Sequence, residues 1–457
     1  MTHHDVIVVG GGTGNNTASA AAAAGHDTLL VEEGKIGGTC LNRGCNPSKM
    51  VLAAANAVND VREAEQFGVH ASVDEVAFGD HVRYVTDTLS DIAQRMAEGK
   101  REEENLTLIQ ETARFVDSKE IVVDGDHHTA DRVVIAAGTR PVIPGAIDGL
   151  DEVDYLTSTE ALRLTEPPES LVVLGGGYIA AELGYYFESF GTQVTMIEME
   201  DRLLPREDAD VAAAYTEIAR DRHDVFTGHR VTGVEPTDEG VRAHAETADG
   251  ETVAVEAEEL LVALGRRPNT DRLGLDETEI ATDERGFVET DERLEASVDG
   301  VWAQGDIAGN HLFKHSGDYE TEVVAANVAH DANRTVDYTA MPHAVFTEPQ
   351  VAGVGPTEAE LRDDGRDYVV GTSSFPDSSM GRALMLDEGL VKVLADAETG
   401  ELLATHVFGH EASILVHEAV VAIRNGLTVE SVAETIHVHP SLSKVMKAAF
   451  EDAASER

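Results

Sequence analysis

Apolar residues along this chain fall into short continuous runs, each stopped by glycine. The first, Val6-Ile7-Val8-Val9, ends in Gly10-Gly11-Gly12-Thr13-Gly14. Such a run predicts a strand buried on both faces, and the glycines predict a tight turn after it. Thr17 to Ala24 predicts a helix closed by Gly25, and Thr28 to Val31 predicts a second strand ending at Glu32. Strand, glycine turn, helix, strand, with an acid 22 residues after the first glycine, is the spacing of a dinucleotide-binding unit.

The pattern recurs. Leu171-Val172-Val173-Leu174 runs into Gly175-Gly176-Gly177, a helix is predicted from Ile179 to Phe190, and the strand Val194 to Ile197 ends at Glu198. One glycine-rich turn is a weak signal, but two complete units 165 residues apart predict two dinucleotide sites. At each, backbone N–H groups at a helix N-terminus can receive a pyrophosphate, and Glu32 or Glu198 can accept from a ribose hydroxyl. The first unit departs from the pattern at Asn15, where a third glycine usually allows close helix–strand packing.

Between the units, Leu106 to Gln110, Arg114 to Phe115 and Ile121 to Val123 predict short strands of a covering sheet. Val133 to Ala137 predicts a buried strand stopping at Gly138-Thr139-Arg140-Pro141. Pro167-Pro168 predicts a joint, and Leu260 to Leu264 followed by Gly265-Arg266-Arg267-Pro268 predicts the exit from the second unit. From about Met341 strands alternate with helices near Glu358 and over Ile414 to Arg424.

A chain of 457 residues is too long for one core, so several domains are expected. Its 34 basic and 85 acidic residues give a net charge of −51. That charge argues against nucleic acid and against acidic lipid surfaces. The acids are spread along the length, as in Glu102-Glu103-Glu104, and there are eight lysines. Such a chain repels itself in dilute buffer, whereas molar salt screens charges to within about 3 Å. We therefore expect a salt-adapted cytoplasmic protein. The N-terminus has no basic region and the apolar runs are too short for a bilayer, so neither a signal peptide nor a membrane span is expected.

The two cysteines, Cys40 and Cys45, stand five positions apart in Gly37-Gly38-Thr39-Cys40-Leu41-Asn42-Arg43-Gly44-Cys45-Asn46-Pro47-Ser48-Lys49, ahead of a helix predicted around Val51 to Val58. A helix N-terminus favours thiolate, and a close pair in a reducing compartment reads as a catalytic dithiol. Zinc would need two further ligands nearby, and none is evident, so no metal is expected.

With these residues the chain resembles the pyridine nucleotide-disulfide oxidoreductases, the class I flavoproteins that include glutathione, mycothione and mercuric reductases and lipoamide dehydrogenase. The resemblance spans the two glycine turns, the dithiol segment, Ala136-Ala137-Gly138, Gly305-Asp306 and His439-Pro440. It implies an α/β fold of two Rossmann-like domains, for FAD and NAD(P), plus a C-terminal α+β dimerisation domain. The expected domains are 1–144 for FAD, 145–266 for NAD(P), 267–340 returning to the FAD domain, and 341–457 for the dimer interface.

The resemblance also implies roles. Cys45 would face the flavin and Cys40 would attack the substrate. Lys49, paired with Glu182, would lie near the flavin, and Asp306 would hold its ribityl chain. Gly10, Gly12, Gly14, Glu32, Gly38, Thr39, Ala137 and Gly138 would complete the FAD site. Gly175, Gly177, Tyr178, Ile179, Glu198 and Gly265 would form the nicotinamide site, with Tyr178 covering it until the nucleotide enters. His439 would be the acid–base residue of the other subunit's dithiol in a homodimer, with His437 in support. Relatives usually carry a glutamate five residues after this histidine to orient it. This chain has Lys444, a cation that disfavours imidazolium, so either Lys444 points away or another acid such as Glu434 takes over.

The implied activity is transfer of electrons from NADPH or NADH through FAD and the dithiol to a small disulfide. Glu198 favours NADH by repelling a 2′-phosphate, while Arg202 and Arg206 could offset it, and thiol reductases of this kind mostly use NADPH. Gly14-Asn15 is similar to mycothione reductases, and with the acidic composition it points to bis-γ-glutamylcystine, the disulfide of the thiol haloarchaea use in place of glutathione. The alternatives are a dihydrolipoyl dehydrogenase of an oxo-acid dehydrogenase complex, a mercuric reductase-like enzyme, although no cysteine follows Cys45, and a non-catalytic flavin-bound redox sensor.

Overall fold

The computed structural model describes residues 1–457. Thr2–Val9 and Thr28–Val31 pair in parallel, and the helix between them spans Gly14–Ala23. The first strand starts earlier than its apolar run because its polar start pairs with His128 to Ala130 of the strand Asp126–Ile135. Leu106–Ile109, expected in a covering sheet, is instead an outer parallel strand beside Thr28–Val31. Ala113–Asp117 and Glu120–Val123 run antiparallel and complete this sheet on the far side. Val301–Ala303, fully apolar, returns to pair with Val133 to Ile135. Ile7, Val133, Ile135 and Val301 are completely buried there, each contributing roughly 1.5–3 kcal/mol by burial.

The helix Phe78–Glu102 is not foreshadowed by any apolar run. Its buried face, Phe78, Val82, Val85, Leu89, Ala93 and Ala97, is made of single apolar residues at helical spacing among acids.

The second unit repeats the arrangement. Ser170–Leu174, Gln193–Ile197, Asp224–Phe226 and Glu259–Val262 form a parallel sheet, with the helix Tyr178–Ser189 in the crossover. An antiparallel sheet of His229–Thr237, Gly240–Thr247 and Thr252–Ala257 closes one face, packing Val234, Ala243 and Ala245 on Val172, Leu174 and Ile197. Thr139–Pro141 and Arg266–Pro268 pair as a two-stranded connection between the units.

The last quarter is a five-stranded antiparallel sheet, in the order Pro342–Val345, Gln350–Val354, Leu402–Gly409, Leu390–Asp396, Tyr368–Ser374. Helices Ala412–Arg424 and Ser443–Ser455 cover it. Ile414, Val421, Ile436 and Val438 remain exposed, Ile436 at 97%. No helix of the chain is long and apolar enough to cross a membrane.

Candidate functional site

Both glycine turns are built alike. Gly10 has φ +111° and a Cβ there would lie 2.3 Å from the Ala136 carbonyl oxygen; Gly175 has φ +108° and a Cβ would lie 2.7 Å from the Ala263 oxygen. Only glycine fits either place. A Cβ on Gly14 would meet Val8 and Ala136 at 2.8 Å, so Gly14 supplies the close helix–strand contact. Asn15 is thereby free to brace the turn from behind. Its side chain donates to the Gly12 carbonyl, and its own carbonyl accepts from the buried Lys100 at 3.1 Å.

The acids that end the second strands fold back on these turns. Glu32 accepts from Gly11 N at 2.5 Å and Gly34 N at 2.9 Å, and burial pushes its carboxyl up. Glu198 accepts from Gly176 N at 2.5 Å and Glu200 N at 2.9 Å. Arg202 is tied in a fork to Asp201, at 2.8 and 2.9 Å.

A cavity of about 950 Å³ opens beside the first turn. Of the residues singled out from the sequence, Gly10, Gly12, Glu32, Gly38, Thr39, Cys40, Cys45, Lys49, Ala137, Gly138, Tyr178, Ile179, Glu182 and Asp306 line it. Gly14, Gly175, Gly177, Glu198, Gly265 and His439 do not.

Cys45 opens the helix Cys45–Glu63 and Cys40 lies in the short helix Gly38–Arg43. The helix expected from Val51 thus begins six residues earlier, with the thiol at its N-terminus. The Cys40 S–H lies within reach of the Cys45 sulfur and, at 3.6 Å, of Asn46 Oδ1. Its hydrogen bond to Cys45 pulls the second thiol from 9.0 down to about 7; burial opposes this and the Lys49 ammonium assists. The same bond, with burial, pushes Cys40 up. The resting negative charge therefore belongs on Cys45.

Lys49 donates to both oxygens of Glu182 at 2.7 Å and stands 4.5 Å from the Phe346 ring centre. Glu182 also accepts from Phe346 N at 3.1 Å, so the half-buried ammonium has a well-held counter-charge. Asp306 accepts from the Thr139 hydroxyl at 2.7 Å, with Arg266 at 3.9 Å.

Three partnerships were missed from the sequence. Glu207, its side chain wholly buried, accepts from the Tyr178 hydroxyl at 2.7 Å and bonds His343 Nε2 at 2.8 Å. Lys392, 2% exposed, holds Asp208 at 2.9 Å and Asp210 and Glu358 at 2.6 Å. His437 bonds Glu418 at 2.5 Å. No spacing rule marks these glutamates and aspartates among 85 acids. His439 is exposed, and neither Glu434 nor Lys444 bonds to it. Of the eight lysines, Lys444 alone makes no side-chain hydrogen bond or ion pair within the chain.

FAD fits the residues present. The first turn is bare of side chains, since a Cβ on Gly38 would come 2.7 Å from Gly12 Cα, and the cavity continues from that turn to the dithiol and Lys49. At the second turn Gly177 faces open space at the start of its helix, as a pyrophosphate requires.

Known proteins match along the whole chain. The family model for pyridine nucleotide-disulphide oxidoreductases matches residues 4–332, and the model for their dimerisation domain matches 341–450. The chain is 38% identical to the dihydrolipoyl dehydrogenase of Halobacterium salinarum, over 94% of this chain and 91% of that one. It is 37% identical to the mercuric reductase of Streptomyces lividans, over 94% and 92%. Among solved structures, the Cu(II) complex of the HOCl-induced flavoprotein disulfide reductase RclA from Escherichia coli superposes with a TM-score of 0.88, covering 99% of each chain at 26% identity. The chain belongs to the pyridine nucleotide-disulphide oxidoreductase family, enzymes that use FAD and NAD(P)H.

Proposed function

We propose that this enzyme reduces an anionic low-molecular-weight disulfide, bis-γ-glutamylcystine, with NADH as the preferred donor. Relatives named for two different activities match almost equally well, so overall likeness does not choose the substrate. The observation that carries the choice is Lys444, an unpaired ammonium five residues after His439 in a chain of charge −51. A second cation, Lys314, lines the cavity and favours the Cys40 thiolate. Together they suit a substrate rich in carboxylates. Lipoamide carries none.

FAD, which Gly10, Gly12, Gly38, Thr39 and Asp306 would hold, would supply the route for two electrons from the nicotinamide to the Cys40–Cys45 disulfide. His439 of the partner subunit takes the proton from Cys40, whose thiol is otherwise held protonated. Cys40 thiolate attacks one substrate sulfur, breaking its S–S bond and forming a mixed disulfide, and the histidine returns the proton to the departing thiol. Cys45 thiolate then attacks the Cys40 sulfur, which expels the second thiolate to be protonated from solvent and closes the protein disulfide. The Lys49 ammonium, held in place by Glu182, favours the Cys45 thiolate whenever the pair is reduced.

For the nucleotide, Glu198 stands where a ribose 2′-hydroxyl would be accepted, and Arg202 is committed to Asp201, leaving less cation for a 2′-phosphate. Turnover in molar salt with bis-γ-glutamylcystine, oxidised glutathione and lipoamide tests the substrate. Highest kcat/KM with bis-γ-glutamylcystine supports the proposal, and preference for lipoamide overturns it in favour of a dihydrolipoyl dehydrogenase, the activity named for the Halobacterium relative.

A further inference from the structure

We propose that Glu207 and His343 are positioning residues that latch Tyr178 closed over the nicotinamide entrance. The inference rests on the second glycine turn being the nicotinamide site. Tyr178 is the first residue of the helix that follows Gly175–Gly177, and it lines the cavity together with Lys49 and Glu182. It therefore stands where that turn meets the cavity, on the way of a nucleotide from the turn into the cavity.

The ring packs in a near-parallel triangle with two others, which lie 6.3 Å from each other, and is held at its tip. Phe313 and His343 lie near-parallel to it, each with centres 6.2 Å away at 14° and 10°. At the tip, the two oxygens of one carboxylate have one partner each: Oε1 takes the Tyr178 hydroxyl at 2.7 Å, and Oε2 takes His343 Nε2 at 2.8 Å. Glu207 has no exposed side-chain surface, so losing either partner strands an oxygen away from water. Burial alone would push its carboxyl up, but the His343 and Tyr178 bonds hold it below the usual range. Burial, then the neighbouring carboxylate, keeps the phenol protonated and therefore a donor.

The latch spans units. Tyr178 and Glu207 belong to the second parallel-sheet unit, while His343 lies on the C-terminal sheet strand Pro342–Val345. The next residue, Asp208, is pinned to that sheet through Lys392 on Leu390–Asp396. Buried His406 packs behind His343: a Cβ on Gly353 would lie 2.7 Å from His343 Cε1 and 3.0 Å from His406 Nδ1. Glu207 and His343 cannot easily follow the ring outward, so an entering nucleotide must break the hydroxyl bond. The latch thus sets nucleotide affinity, not the chemistry at the thiols.

The test uses FAD-loaded enzyme and measures the Kd of NAD⁺ by titration calorimetry, with KM and kcat for NADH alongside. Tyr178→Phe keeps the ring and its stacking and removes only the latch. We expect Kd and KM to fall about tenfold, the change in KM exceeding any change in kcat. His343→Gln should lower Kd in the same direction, and the double variant should gain less than the sum of the two, because both act through Glu207. Unchanged or weaker binding by Tyr178→Phe, or additive effects in the double variant, overturns the latch alone. Failure of the unaltered enzyme to bind NAD⁺ overturns both the latch and the site assignment beneath it.

Discussion

Glu198 stands to Gly176 as Glu32 stands to Gly11: in each pair a carboxylate oxygen accepts the backbone N–H of the middle glycine at 2.5 Å. The second bond is repeated too, to Gly34 N and Glu200 N at 2.9 Å. Each acid therefore holds its turn while keeping lone pairs for a ribose. At the second turn this predicts higher kcat/KM with NADH than with NADPH. Glu198→Gln should reduce that preference by about tenfold, the worth of one charged hydrogen bond, measured as the ratio of the two kcat/KM values.

Cys45 should titrate in the reduced enzyme near pH 7, well below an ordinary thiol at 9.0. Thiolate absorbance should therefore rise through pH 7 and be largely lost two units below it. Lys49→Met removes an ammonium that favours the thiolate and should move the midpoint up by about one unit or more. A midpoint that stays put would show that the Cys40 hydrogen bond suffices.

His439→Ala should lower disulfide turnover by roughly 10²–10⁴-fold, the usual worth of a general acid–base group, with reduction of the flavin by NADH preserved. Because His439 lies outside its own chain's cavity, mixed dimers of His439→Ala and Cys40→Ser subunits should recover activity that neither homodimer has. Equal inactivity of the mixture would contradict a shared site.

Lys392 is the cation shared by Asp208, Asp210 and Glu358, and Asp208 is wholly buried. Lys392→Met should cost about 3–5 kcal/mol in denaturant unfolding, because it strands that carboxylate. Adding Asp208→Asn should recover part of the loss.

Raising monovalent salt from dilute to molar should raise Tm, since 85 acids against 34 bases repel one another most in dilute buffer. A Tm independent of salt would argue against adaptation to concentrated salt.

The parts of this protein legible in its sequence are local ones. A buried strand running into glycine, an acid 22 residues on, and two thiols five apart at a helix start are each written within one short stretch. Backbone sterics and helix dipoles act over that same range, so spacing alone determined both nucleotide turns and the dithiol. The outer strand Leu106–Ile109 is recognisable as a strand, but which sheet it joins depends on strand order, and no run of residues encodes that. The latch Tyr178–Glu207–His343, the pair His437–Glu418 and the cluster around Lys392 were decided only by the tertiary structure. In a chain this acidic a functional carboxylate looks like any solvated one. Only burial, which removes the water that would otherwise satisfy it, forces a carboxylate such as Glu207 to find specific partners and so distinguishes it from the rest.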